Sequence, residues 1–182
     1  MTQNGKISRS TLVLGGARSG KSEFAERLVL ASGLTPVYIA TSEVYDSEMA
    51  QRVETHKLRR GTAWKVIEVP IDLVGALNEI QAGQIVLIDC LTLWLSNIML
   101  ADHDVETEQI NLLRAINDCQ GQVVSVSNEV GMGIVPENRL GRRFRDAQGI
   151  LNQQVAQISD LAIFVAAGLP LVLKGTLPKG LI

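Results

Sequence analysis

The sequence predicts an α/β protein with a mostly parallel sheet, helices on both faces and a C-terminal antiparallel hairpin. Three observations predict it. Short β-branched apolar runs alternate with longer segments of helical period, the order that builds strand–helix–strand units. The runs are almost continuously apolar, as expected of strands buried on both faces. The last two runs are joined only by Ala166-Ala167-Gly168-Leu169-Pro170, too short for a crossover, so they pair as a hairpin.

In chain order, Leu12 to Leu14 is the first strand and Lys21 to Ala31 the first helix. Val37 to Ala40 is the second strand, and Ser47 to Arg60 has the length of a crossover helix. Trp64 to Val69 is a weaker strand, with fewer consecutive apolar residues, and Ile71 to Ile80 reads as a helix. Ile85 to Ile88 and Val123 to Val126 are strands around the helical segment Val105 to Cys119. Glu137 to Ile158 is a helix, and Leu161 to Val165 with Leu171 to Leu173 forms the hairpin. The 182 residues suit a flexible leader at 1–9 and a single domain at 10–182.

The formal net charge is −2, which gives no global attraction for nucleic acid or anionic membrane. Cys90 and Cys119 lack CxxC spacing, so neither zinc nor a disulfide framework is indicated and a reducing cytoplasm fits. Met1 to Ser10 is polar, unlike a signal peptide or anchor. No apolar stretch approaches the roughly 20 residues that span a bilayer.

Between the first strand and first helix stands Gly15-Gly16-Ala17-Arg18-Ser19-Gly20-Lys21-Ser22, of the form GxxxxGKS. Glycines at both ends let consecutive N–H groups turn into one hollow that fits a polyphosphate. Lys21 adds a positive charge for the β- and γ-phosphates, and the Ser22 hydroxyl is a Mg²⁺ ligand. The fold expected is therefore of the P-loop NTPase type. Ligands of such sheets gather beyond the carboxyl ends of the strands, where Thr41-Ser42, Asp89 and Ser127-Asn128-Glu129 follow apolar runs. Asp89 is placed either as the acidic Mg²⁺ partner of Ser22 or as a cap for the segment beginning at Leu91, with Glu129 the competing carboxylate.

Two basic clusters stand out. On a helix, Arg52, His56 and Arg59 share a face, with Lys57 and Arg60 beside it. Neighbouring positive charge keeps His56 neutral, with a ring nitrogen free to attack phosphorus; a solvated basic face is the plainer alternative. Arg139, Arg142, Arg143 and Arg145 follow a glycine-spaced segment around Met132. The first three suit the phosphate or carboxylate groups of a second substrate, while exposed i to i+4 pairing, such as Arg142 with Asp146, is the competing reading. The glycines around Met132 suit a loop that closes over substrate. His103 stands in the acidic stretch Asp102-His103-Asp104, a surface loop.

GGARSGKS, Ala40-Thr41-Ser42, the stretch Arg52 to Lys57 and the long string Asn128 to Leu140 together resemble the bifunctional adenosylcobinamide kinase and adenosylcobinamide-phosphate guanylyltransferase family. The resemblance runs from about Leu12 to Val165; the leader and the tail after Leu169 lie outside it. It implies that a nucleoside triphosphate phosphorylates adenosylcobinamide, and that GMP from GTP then passes through a histidine, matching His56, onto that phosphate. It further implies nucleotide contacts at Gly15 to Ser22, Ala40, Thr41, Ser42, Lys57, Leu58, Arg59, Arg60, Glu68 and Asp89. Mg²⁺ with GTP, or with ATP in the kinase step, and a homotrimer complete what it implies. Two rivals stand beside it: a simple small-molecule kinase using Lys21, Ser22 and Asp89, and a nucleotide-dependent switch, which the lack of an NKxD string disfavours.

Overall fold

The computed structural model describes residues 9–42 and 63–181. The helix expected over Ser47 to Arg60, and with it Arg52, His56, Lys57, Leu58, Arg59 and Arg60, lies outside the described residues. Seven strands form one sheet: β1 (Ser10–Gly15), β2 (Thr35–Ala40), β3 (Lys65–Glu68), β4 (Gln84–Asp89), β5 (Gln122–Asn128), β6 (Leu161–Ala166) and β7 (Leu169–Lys174). Their spatial order is β3-β2-β4-β5-β1-β6-β7. Every pairing is parallel except β6 with β7, as the linker lengths require.

The helices are α1 (Lys21–Ala31), α2 (Leu73–Asn78), α3 (Leu91–Leu100), α4 (Val105–Asp118) and α5 (Arg139–Ile158). Strand residues alternate between two cores. Leu12, Leu14, Val86, Ile88 and Val123 pack in one with Leu77, Trp94, Leu112 and Leu151 of α2 to α5. Val13, Ile85, Leu87, Val124, Ile163 and Val165 pack in the other with Phe24 and Leu28 of α1. With both faces covered, inner strands have no polar side, hence the unbroken apolar runs.

Several boundaries differ from expectation, each for a local reason. Helix α2 is shorter than Ile71 to Ile80 because Asp72 is its N-cap, its carboxylate accepting from Gly75 N–H at 2.8 Å. Helix α5 starts at Arg139 rather than Glu137 because the Asn138 side chain accepts from Gly141 N–H at 2.6 Å. Beyond a segment from Leu91 for Asp89 to cap, helix α3 was not delineated from the sequence. It buries Leu91, Thr92, Trp94, Leu95, Asn97 and Ile98, too much of its circumference to leave an amphipathic signature.

The hairpin turns through Ala167 and Gly168, at φ 51° and 79°, the paired left-handed backbone that matches strand twist in a two-residue loop. Lys174 Nζ donates to the carbonyls of Ala156 at 3.1 Å and Gln157 at 2.8 Å, closing the C-terminal end of α5. Among the described residues no helix is long and apolar enough to cross a membrane.

Candidate nucleotide-binding site

The phosphate loop leaves β1 at Gly15 and enters α1 at Lys21. A Cβ on Gly15 would meet Val165 O at 2.6 Å and also the Ser19 hydroxyl, so only glycine lets the loop fold against β6. Gly20 caps α1 at φ 92°, and its carbonyl accepts from Phe24 N–H at 3.0 Å. The hairpin braces the loop from outside, Gly168 N–H donating to Ser19 O at 2.8 Å. On the other side Glu129 N–H donates to Gly15 O at 3.1 Å. Both neighbours of β1 therefore hold the loop in place.

Lys21 is buried, and its Nζ donates to Gly16 O at 3.1 Å. Burial lowers its pKa below the usual 10.5, while Cys90 and Asp89 act in the opposite sense. Ser22 is half-buried in the first turn of α1. The Ser19 hydroxyl is buried with no partner among the described residues.

Asp89 ends β4, and its Oδ2 accepts from the Tyr38 hydroxyl at 3.1 Å. The capping alternative fails: Cys90 is the N-cap of α3, without a side-chain bond. Burial, reinforced by the Asp89 charge, pushes the Cys90 thiol up to about 11, which keeps it protonated and inert. Since β5 separates β4 from β1, Asp89 stands two strand spacings, about 10 Å, across the sheet from the phosphate-loop strand. Glu129, on the strand between them, spends Oε1 on Gly131 N–H at 2.6 Å. The Asp89 charge raises the Lys21 pKa, against the larger effect of burial.

Ala40, Thr41 and Ser42 follow at the end of β2, with Glu68 opposite Ala40 at the exposed end of β3. The Thr41 side chain faces inward. It is fully buried, its hydroxyl donating to Cys90 O at 2.7 Å and accepting from Cys90 N–H at 2.8 Å. Its carbonyl accepts from Asn97 Nδ2 at 2.8 Å, and the same amide reaches Pro70 O at 3.0 Å. Thr41 is a strut for the Asp89–Cys90 turn, not a free donor.

The arginines of α5 divide. Arg139 is exposed at the helix start. The pairing of Arg142 with Asp146 is not formed: Arg142 Nη1 donates to Pro136 O at 3.0 Å and to Glu137 O, and it is Arg145 that meets Asp146 at 3.1 Å. Arg143 lines a separate groove of about 690 Å³ with Met99, His103, Ile110, Asp146 and Ile150, none of them from the phosphate loop or a strand end. Arg143 is therefore not brought to the nucleotide site.

Sequence reasoning missed a buried polar network behind β5. Asn128 N–H donates to Thr92 Oγ1 at 2.7 Å, and Asn152 Nδ2 to Asn128 O at 3.1 Å. Ser127 Oγ donates to Asn152 Oδ1 at 2.6 Å, and Gln148 Nε2 to Ser127 Oγ at 2.9 Å. These bonds fix the strand end from which Glu129 reaches Gly15. The signals were hydroxyls at alternate positions of Val123-Val124-Ser125-Val126-Ser127, and Gln148 four residues before Asn152 on one helix face.

Comparison with known proteins decides what this site belongs to. The profile of the family described as cobinamide kinase / cobinamide phosphate guanyltransferase matches residues 11–173. The chain belongs to this cobinamide kinase/guanyltransferase family. Bifunctional adenosylcobalamin biosynthesis protein CobP of Pseudomonas aeruginosa is 45% identical over 90% of this chain and 96% of its own length. The proteins named CobU in Escherichia coli and Salmonella typhimurium are 38% and 39% identical, each over 90% of this chain and 98% of its own length. Among solved structures, flagellar accessory protein FlaH of Methanocaldococcus jannaschii matches with TM-score 0.51 and 15% identity, over 94% of this chain and 80% of that one. The RadB recombinase matches with TM-score 0.50 and 15% identity, over 85% and 73%. These two likenesses show the fold alone. The expected P-loop fold and the expected membership of a kinase and guanylyltransferase family are both borne out.

Proposed function

We propose that one nucleotide site serves two reactions: phosphorylation of adenosylcobinamide by a nucleoside triphosphate, then transfer of GMP from GTP to that phosphate through His56. The observation that carries the reading is the formed phosphate loop, with Lys21 buried and its Nζ on Gly16 O, in a chain matched to the family over residues 11–173.

In the first reaction the substrate hydroxyl attacks the γ-phosphorus and the nucleoside diphosphate leaves. In the second, a ring nitrogen of His56 attacks the α-phosphorus of GTP, the bond to the bridging oxygen breaks and pyrophosphate departs. An oxygen of cobinamide phosphate then attacks the same phosphorus, the P–N bond breaks and His56 is restored. The loop amides and Lys21 stabilise charge on the departing phosphates; to do so Lys21 exchanges the Gly16 carbonyl for phosphate oxygens. The Ser22 hydroxyl and Asp89 carboxylate are hard oxygen donors that fit Mg²⁺, and no group of three or more His, Cys, Asp or Glu side chains poised for a metal occurs among the described residues. An ion held by one or two side chains plus phosphates would neutralise phosphate charge. Glu68, Ala40 and Ser42 extend the nucleotide site toward β3, with Lys57 to Arg60 contributed by the segment after His56. Arg139 and Glu129 are the groups kept for the second substrate. The proposed setting is the cytoplasm and the proposed assembly a homotrimer; a monomer by light scattering refutes the trimer.

The test is incubation with Mg²⁺ and GTP labelled at the α-phosphate. A protein-bound label that is acid-labile and base-stable, and lost in His56→Ala, is expected. Absence of label, or undiminished labelling of His56→Ala, refutes the histidine step.

A further inference from the structure

The segment between β5 and α5 carries large apolar side chains outward. Ile134 is 97% exposed, Met132 80% and Val135 56%. The segment is tied at both ends. Glu129 N–H bonds Gly15 O, and Glu129 Oε1 accepts from Gly131 N–H. At the far end Arg142 holds the carbonyls of Pro136 and Glu137, and Asn138 caps α5. Three apolar side chains within four residues are thereby displayed from a fastened frame at the carboxyl edge of the sheet, one strand from the phosphate loop. Leaving them in water forfeits apolar burial that a ligand covering them would supply.

Resting on the kinase and guanylyltransferase reading, we infer that Met132, Ile134 and Val135 form the apolar platform on which the corrinoid substrate lies. Two observations commit the patch to this occupant. The segment is hydrogen-bonded directly to Gly15 of the phosphate loop, so a molecule resting on it has its reactive arm beside the nucleotide phosphates. The family's substrate is a cobinamide, and a corrin ring presents methyl and methylene groups between amide side chains, a surface that needs both apolar contact and solvent access. The other strand ends offer Ser42 and Asp89 instead, which suit phosphate and ribose rather than a macrocycle. A methionine beside two branched residues moulds to an irregular ring better than a rigid wall would.

The test is steady-state phosphorylation of cobinamide, varying corrinoid and nucleotide separately, in Met132→Ser, Ile134→Ser and the double variant. The double variant is expected to raise KM for cobinamide at least about tenfold, the loss of roughly 1.4 kcal/mol or more of contact, with KM for nucleotide within about twofold. Ile134→Val and Met132→Leu should restore corrinoid KM, and Leu171→Ser, an equally apolar change on exposed β7, should leave it unchanged. Sedimentation is run on every variant. Unchanged corrinoid KM in the double variant overturns the platform, as does a change of assembly state, which would make a second copy of the chain the occupant. Wild-type protein that neither phosphorylates nor guanylylates cobinamide overturns the underlying reading, and the platform with it.

Discussion

Thr41→Val tests the strut beneath Asp89. The change keeps the shape of the side chain and removes the hydroxyl that accepts from Cys90 N–H and donates to Cys90 O. The carbonyl retains a second donor, Trp94 N–H at 3.2 Å, whereas the buried N–H loses this acceptor. Orphaning the N–H costs about 1–3 kcal/mol and losing the hydroxyl–carbonyl bond about 1 kcal/mol, giving about 2–4 kcal/mol together. At roughly 2–4 °C per kcal/mol for a chain of this size, a mid-range loss lowers Tm by about 6–12 °C. The assay is calorimetry of the ligand-free protein, with Thr41→Ser as control. Serine keeps the oxygen and loses one buried methyl, about 1 kcal/mol. A valine variant melting within about 2 °C of wild type refutes the strut, and so does a serine variant that loses as much as valine. A hydroxyl that served nucleotide directly would give the opposite pattern, unchanged Tm and raised nucleotide KM.

Two further outcomes follow from burial. The Lys21 pKa is lowered below 10.5 by desolvation, ahead of the opposing effects of Cys90 and Asp89. Between that lowered value and 10.5 the unfolded chain holds more protons than the folded one, so ligand-free stability rises with pH through this window. Nucleotide binding, which needs the ammonium, weakens over the same window and takes up a proton. Titration calorimetry in buffers of different ionisation enthalpy, as the pH approaches 10.5 from below, reads the uptake, and a wild-type protein with no pH slope, or the same slope in Lys21→Arg, refutes it. Burial also raises both thiols, Cys90 to about 11 and Cys119 above 9.0, so at about pH 8 the native protein should resist iodoacetamide while the denatured chain takes up label at both cysteines. Stoichiometric alkylation of native Cys90 would show that its pocket opens.

The parts legible in the sequence were those whose local chemistry determines them. Gly15 to Ser22 announces its backbone through its glycines, and Leu12 to Leu14 or Ile85 to Ile88 announce burial on two faces through unbroken apolar composition. The short link at Ala167-Gly168 admitted no geometry but a hairpin. What was not legible depends on partners distant in sequence. Helix α3 is apolar almost all round because the sheet, α4 and α5 enclose it, and periodicity cannot register a helix with no wet face. The insertion of β5 between β4 and β1, which decides how far Asp89 stands from the phosphate loop, is a fact of strand order that no single run encodes. Thr41 follows a strand end, but the partner of its hydroxyl, Cys90, is remote in sequence. Arg143 shared a helix face with Arg139 and Arg142 on a wheel, yet the neighbours supplied by α3 and α4 turn it to another groove.

The place of β1 has a consequence for how the protein is made. Its two hydrogen-bonded neighbours, β5 and β6, come from the later part of the chain, and the brace on Ser19 comes from Gly168, later still. The nucleotide motif precedes all of these partners in the chain, an arrangement of long-range pairing that folds slowly. A nascent chain, or one clipped before the hairpin, carries the whole motif as text but lacks the walls that shape it.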